Sequence, residues 1–453
     1  MKIIVVGCGK IGRTIIESLV TEGHDIVAID YEAEIVDEIT NSYDVMGLVG
    51  NGADSDALSE AGVNDAELFI AVTNSDELNM LACFIARAMG AKHTIPRVRN
   101  PEYNDNSLEF MKQQLGLSTS VNPEMITARE IYNIIKFPSA VNIETFARRQ
   151  FEMVDFRLRE NSALNGLKLA DMRKQYDAKV LVCAVQRGEE FYIPDGNFVL
   201  QSGDRVGITA SPAELHKLFR MLGVTQKRAH NVVILGAGRI SFYLAKMLVA
   251  SGYDVKVIDR DRQRCDEFSD FVPEAVTILG DGTSQDVLLE EGIDSTDVFV
   301  ALTGMDEENI LTSCFVASHN VPKVITKVSR PELATMADKI GLECVVSPQH
   351  FVSEFLSKYA RALRNSMDSS NVEALYKLMD GKAEALEFSV QPNFKYIDIP
   401  LKDMDIKKDI LIAGIIRGRK PIIPSGNDVI LPDDRVVVLA AGELLNDLSD
   451  IVR

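Results

Sequence analysis

The chain has 453 residues, enough for three or four domains, and its 46% apolar and 25% charged residues make an ordinary globular balance. A formal net charge of −19 argues against general nucleic-acid binding. No apolar run approaches the ~18 residues that a membrane helix needs. Cys8, Cys83, Cys183, Cys265, Cys314 and Cys344 are scattered and form no C-x-x-C pair, so neither a disulfide framework nor a zinc site is expected. The first strand starts almost at residue one and leaves no room for a signal peptide; with buried thiols this points to the cytosol.

From the N-terminus, apolar strand-like runs alternate with helical patterns. Strands are expected at Ile3–Val6, Asp25–Asp30, Asp44–Val49, Leu68–Ala71, His93–Val98 and Ser118–Ser120. The helices between them include Ile11–Thr21, Glu32–Ser42, Ser55–Ala61 and Asp76–Met89. Such alternation predicts a parallel sheet covered on both faces. The stretch Pro123 to Lys136 carries apolar residues at helical spacing, either packing on its own sheet or crossing to a partner subunit. From Phe151 onward short strands (Val180–Gln186, Phe198–Leu200), turns and a closing helix at Ser211–Met221 describe a small α/β domain. The basic run Gln226-Lys227-Arg228 links to a second half that repeats the first.

The repeat is explicit. Ile3 to Asp30 reads IIVVGCGKIGRTIIESLVTEGHDIVAID, and Val232 to Asp259 reads VVILGAGRISFYLAKMLVASGYDVKVID. Register persists through Gly50-Asn51-Gly52 and Gly280-Asp281-Gly282, through Ala71–Asn79 and Ala301–Asn309, and into Ile193-Pro194-Asp195-Gly196-Asn197 and Ile423-Pro424-Ser425-Gly426-Asn427. A two-domain unit has been duplicated. The expected architecture is two Rossmann-like, doubly wound parallel-sheet domains, each followed by a small α/β domain. The expected limits are 1–138, 139–225, 229–371 and 372–453.

In Gly7-Cys8-Gly9-Lys10-Ile11-Gly12, the first glycine permits a tight turn, the second admits a pyrophosphate, and the third lets helix and strand touch. The helix N-terminus then offers unpaired N–H groups to phosphate. Asp30 falls at the end of the second strand, where a carboxylate accepts from ribose hydroxyls and repels a 2′-phosphate. The second turn, Gly236-Ala237-Gly238-Arg239-Ile240-Ser241, has Ser where the third glycine belongs, while Asp259 keeps its place. This half either binds nucleotide or serves as scaffold. Lys10 and Arg239 lie within the turns, within reach of phosphate. Asn51 and Asp281 follow the third strands and suit the adenine end. Thr73 and Asn74, with Thr303 in the repeat, follow the fourth strands; they contact ribose or phosphate, or Asn74 or Ser75 caps the next helix. Arg97 and Lys327 end the fifth strands and either meet phosphate or stay solvated.

In the order of these pieces the chain resembles the TrkA-type regulatory subunits of bacterial Trk potassium uptake systems. The resemblance rests on Gly7–Gly12 with Asp30, the two turns at Gly50 and Gly280, Ala71–Asn79 with its repeat, and the paired small domains. It implies two RCK (or KTN) domains, each closed by a small C-terminal RCK domain. It also implies binding of NAD(H) and possible binding of ATP or ADP. The implied assembly is a homotetrameric ring, peripheral to the inner face of the membrane, beneath a potassium-translocating subunit. Departures are Asn51, where the repeat has Asp281, and Ser241.

None of His24, His93, His216, His230, His319 and His350 stands in a recognisable catalytic context, and no nucleophile motif or metal-ligand spacing is present. No catalytic or metal residue is therefore assigned, and a ligand-gated regulator is the preferred reading. The alternatives are an NAD-dependent dehydrogenase with a degenerate duplicated half, and a scaffold in which nucleotide is structural.

Overall fold

The computed structural model describes residues 1–101, 103, 105–136, 142–146, 151–222, 229–368, 372–379, 382–442, 445 and 447–453. The linker Gln226-Lys227-Arg228 and the expected limits at 138, 139, 225 and 371 lie outside the described residues.

Strands β1 (Lys2–Val6), β2 (Asp25–Asp30), β3 (Met46–Val49), β4 (Leu68–Ala71) and β5 (His93–Pro96) form a parallel sheet in the order β3-β2-β1-β4-β5. Next come β6 (Asn142–Phe146), β7 (Phe151–Arg157), β8 (Leu181–Arg187), β9 (Glu190–Tyr192) and β10 (Arg205–Ala210), an antiparallel sheet ordered β6-β7-β10-β8-β9. The second half repeats the pattern. Strands β11 (Asn231–Leu235), β12 (Asp254–Asp259), β13 (Val276–Leu279), β14 (Val298–Ala301), β15 (Lys323–Lys327) and β16 (Cys344–Val346) run β13-β12-β11-β14-β15-β16. Strands β17 (Val372–Leu378), β18 (Ala383–Ser389), β19 (Ile410–Arg417), β20 (Lys420–Ile422) and β21 (Arg435–Ala440) form the last antiparallel sheet, β17-β18-β21-β19-β20.

The parallel strands are apolar without alternation because helices cover both faces; Ile3, Ile4, Val5 and Val6 are all buried. Two expected strands shrink to single bridges. Ser118–Ser120 gives way to one pairing, Arg97 with Val121, whereas the second repeat keeps a full sixth strand, β16. Phe198–Leu200 is held by Lys168–Val199 and by backbone bonds to the irregular segment at Leu167–Leu169, so no ladder forms.

The chain folds into two compact units that pair like with like. One consists of Met1–Ile131 and Val232–Ala360, holding both parallel sheets; the other consists of Tyr132–Asn231 and Arg361–Arg453, holding both antiparallel sheets. In the first unit Ser353 Oγ donates to Thr14 O at 3.2 Å, and the Ser18 and Ser357 hydroxyls meet at 2.9 Å. In the second, Met153, Cys183 and Ala184 share a core with Leu378, Ala413 and Val437, and Thr209 Oγ1 donates to Ala413 O at 3.0 Å. Among the described residues no helix is long and apolar enough to cross a membrane.

Candidate functional site

Strand order reverses between β1 and β4, so the loops leaving their carboxyl ends diverge and open a crevice. The glycine turn lies there. Gly7 has φ +91°, and a Cβ on it would come within 2.8 Å of the Thr73 amide nitrogen. A Cβ on Gly12 would stand 1.9 Å from Gly7 O, so helix and turn are in backbone contact. Gly9 is different: nothing lies within 4 Å of its added Cβ, and the same holds for Gly238. The middle glycine of each turn thus borders open space, as a pyrophosphate cradle requires. The helices Lys10–Thr21 and Arg239–Ala250 start at Gly9 and Gly238 without any side-chain cap, which leaves their first N–H groups, Ile11 among them, available to an anion. In the second turn Ser241 is buried and its hydroxyl donates to Gly236 O, so the third-glycine position is filled without losing the turn.

The two strand-end acids brace these turns. Asp30 Oδ2 accepts from Cys8 N at 2.7 Å and Oδ1 accepts from Glu32 N at 3.1 Å. Asp259 repeats this with Ala237 N at 2.7 Å and Asp261 N at 2.9 Å. A carboxylate has about four acceptor sites, so each acid keeps capacity for ribose hydroxyls. Burial, with the charge of Asp30 second, pushes the Cys8 thiol up to about 12. Asn51 Oδ1 accepts from Ala53 N at 3.0 Å, and Asp281 Oδ1 accepts from Thr283 N at 3.0 Å and Thr283 Oγ1 at 2.7 Å. The Thr283 hydroxyl holds the Asp281 carboxyl below the usual carboxylate range.

At the fourth strands the structure adds residues that sequence reasoning missed. Asn79 is fully buried; its Oδ1 accepts from Thr73 N at 2.8 Å and Thr73 Oγ1 at 2.7 Å, and its amide donates to Thr73 O and Arg97 O. Asn309 does the same for Thr303 and Lys327 O. The signal was present: an Asn recurs three residues after Asp76 and Asp306, at the same place in both repeats. Ser75 caps its helix by accepting from Leu78 N at 3.1 Å, so the capping role belongs to Ser75. Arg97 is buried and donates to Thr73 O, with Asn74 Oδ1 at 3.4 Å; burial lowers its pKa to about 10. Lys327 is half-buried and donates to Thr303 O, and burial lowers its pKa as well. Arg97 is therefore not solvated and Lys327 is only partly so; each basic side chain ties the fourth-strand loop to the fifth strand.

In the second repeat a cleft of about 710 Å³ is lined by Gly236, Gly238, Arg239, Asp259, Asp281, Thr303 and Lys327, so the seven binding residues expected there meet in one place. Its volume lies within the ~300–1,000 Å³ usual for ligand sites. One lining residue comes from the other repeat: Glu124, on the helix Pro123–Lys136. The start of this helix reaches the other half of the same chain, where Asn122 Nδ2 donates to the Tyr243 hydroxyl at 3.1 Å. The clefts also share cations. The charge of Lys10 adds to burial in lowering the pKa of Lys327, and that of Arg239 does the same for Arg97.

Comparison with known proteins places these features in a family. The TrkA-N domain model matches residues 3–123 and 232–348, and the TrkA-C domain model matches residues 153–223 and 385–453. The chain is 30% identical over 453 residues to the Trk system potassium uptake protein TrkA homolog of Archaeoglobus fulgidus, covering 100% of both. It is 29% identical to the Trk system potassium uptake protein TrkA of Vibrio alginolyticus, covering 97% of this chain and 95% of that one. The solved GsuK channel bound to NAD is similar in fold, with a TM-score of 0.61 and 16% identity over 97% of this chain and 77% of that one.

Proposed function

The chain belongs to the TrkA family of Trk potassium uptake proteins, and from that premise we propose that it is a nucleotide-binding regulatory subunit of a potassium transporter. NAD(H) occupies the glycine-turn clefts, and ATP or ADP competes there. The observation that carries this reading is the pair of open cradles. Gly9 and Gly238 border free space, the following helices lack side-chain caps, and a cation stands in each turn. These groups fit a pyrophosphate, and Asp30 and Asp259 fit a ribose diol better than a 2′-phosphate. The GsuK relative with NAD supports the same ligand class.

We read these residues as groups that bind and position a ligand. The lining of the second cleft holds no histidine. Asp259 and Asp281 are engaged by backbone amides, which suits holding a ligand more than moving a proton. The protein divides at the expected limits into two large and two small domains. It assembles as a homotetrameric ring against the inner face of the membrane, under the potassium-translocating subunit. Moving such a ring from 1:99 to 99:1 between two states needs ~5.5 kcal/mol of differential affinity, or about 0.7 kcal/mol from each of eight clefts.

Calorimetric titration of NADH and of ATP into wild type, Asp30→Ala and Asp259→Ala tests the proposal. Wild type should bind in both clefts and each variant should lose one class of site. Unchanged isotherms in both variants would remove the clefts from consideration.

A further inference from the structure

Glu124 of the first repeat lines the second repeat's cleft, and the residue in the matching place of the second repeat, Gln349, is uncharged. Glu124 lines the second cleft with Arg239 and Lys327, and its Oε2 is shut from solvent with no hydrogen-bond partner. Burial raises its pKa, opposed by the charges of Arg99, Arg239 and Arg97. The reciprocal helix, Pro348–Asp368, lies along the turn helix of the first repeat. Its contacts are Ser353 with Thr14 and Ser357 with Ser18. Both helices advance four residues between these contacts, so they run parallel here. One turn earlier Gln349 comes level with Lys10, in the glycine turn. The sequences agree: Asn122-Pro123-Glu124 occupies the place of Ser347-Pro348-Gln349.

We propose that Glu124 is a specificity-determining residue that makes the second cleft favour a dinucleotide, while Gln349 leaves the first cleft open to a nucleoside triphosphate. The inference rests on reading both clefts as nucleotide sites. The two ligand classes share adenosine and two phosphates and differ beyond them. A dinucleotide continues into a ribose whose hydroxyls donate hydrogen bonds, and an ionised carboxylate is a pure acceptor. A triphosphate continues into acceptor oxygens that carry charge, which a carboxylate repels. An amide both donates and accepts, so Gln349 tolerates either continuation, with Lys10 alongside.

The test is calorimetry in a chelating buffer, so that no divalent cation screens the phosphate. NADH and ATP are titrated into Asp30→Ala, where the second cleft reports alone, and into the same chain carrying Glu124→Gln. The mirror pair is Asp259→Ala with and without Gln349→Glu. Glu124→Gln should tighten ATP about tenfold at the second cleft and leave NADH within about threefold. Gln349→Glu should weaken ATP about tenfold at the first. An ATP-to-NADH ratio unchanged in both pairs overturns the inference while leaving the clefts as nucleotide sites. No binding of either nucleotide to wild type overturns the reading beneath it. If Glu124→Gln melts early, the exchange at half-buried Gln349, which keeps the side-chain shape, decides alone.

Discussion

At the scale of single residues, the three glycines of the first turn have separable roles, and substitution should separate them. An added Cβ on Gly12 meets Gly7 O at 1.9 Å, whereas one on Gly9 meets nothing. Gly12→Ala should therefore cost about 3 kcal/mol or more of stability, at the upper end of overpacking penalties. Gly9→Val should melt within a degree or two of wild type yet lose NADH affinity at least tenfold, because its side chain enters the cradle. Thermal melts and fluorescence titration read the two effects independently. Equal destabilisation by both would mean that Gly9 is only another packing glycine. Cys8 offers a second check. Its thiol, pushed up to about 12 by burial and by Asp30, is almost entirely protonated at pH 8. Native protein should leave Cys8 unmodified by iodoacetamide over hours, and unfolding should expose it to rapid alkylation followed by peptide mass.

At the scale of elements, the cleft floor depends on one helix pinning two loops. Asn79 joins the loop after β4 to the end of β5 through four hydrogen bonds. Asn79→Ala leaves the Thr73 amide and the Arg97 carbonyl without that partner, and each buried unsatisfied group costs about 1–3 kcal/mol. A loss of about 3 kcal/mol is expected in denaturant melts, with NADH affinity falling too because Thr73 and Arg97 lose their anchor; a loss below about 0.5 kcal/mol would show that the network is dispensable. The glycine turns, the strand-end acids and the parallel character of the large sheets were legible in the sequence because each follows from a local pattern with a fixed backbone consequence. What escaped was non-local. Asn79 and Asn309 read as ordinary helix residues until the folded loops supply their partners. Arg97 and Lys327 looked equally suited to solvent until burial showed them tied to Thr73 O and Thr303 O. Glu124 belongs in sequence to one repeat and in space to the other. The bridge at Val121 falls short of a strand for an equally contextual reason: Arg97 and Val121 pair once, and β16 of the second repeat pairs over three residues.

At the scale of the molecule, duplication lets one chain provide a pairing that a single repeat would need a second copy to make. Like pairs with like in both compact units, and the second cleft borrows Glu124 from the first repeat. Charge crosses as well, since the turn cation of one repeat lies near the fifth-strand cation of the other. On the proposed reading, phosphates bound at either cleft would relieve part of that repulsion and so link ligand occupancy to the packing of the two halves. Small-angle scattering of the purified assembly should accordingly give distinguishable curves with saturating NADH and saturating ATP. Superimposable curves would leave sensing without a structural output. The most direct single measurement is equilibrium dialysis of radiolabelled NADH against the intact protein, followed by chromatographic recovery of the ligand. Saturable binding that falls by half in Asp30→Ala, with the dinucleotide recovered chemically unchanged, is the expected result. Absence of binding, or recovery of the label as an oxidised or cleaved product, would contradict a nucleotide-sensing regulator.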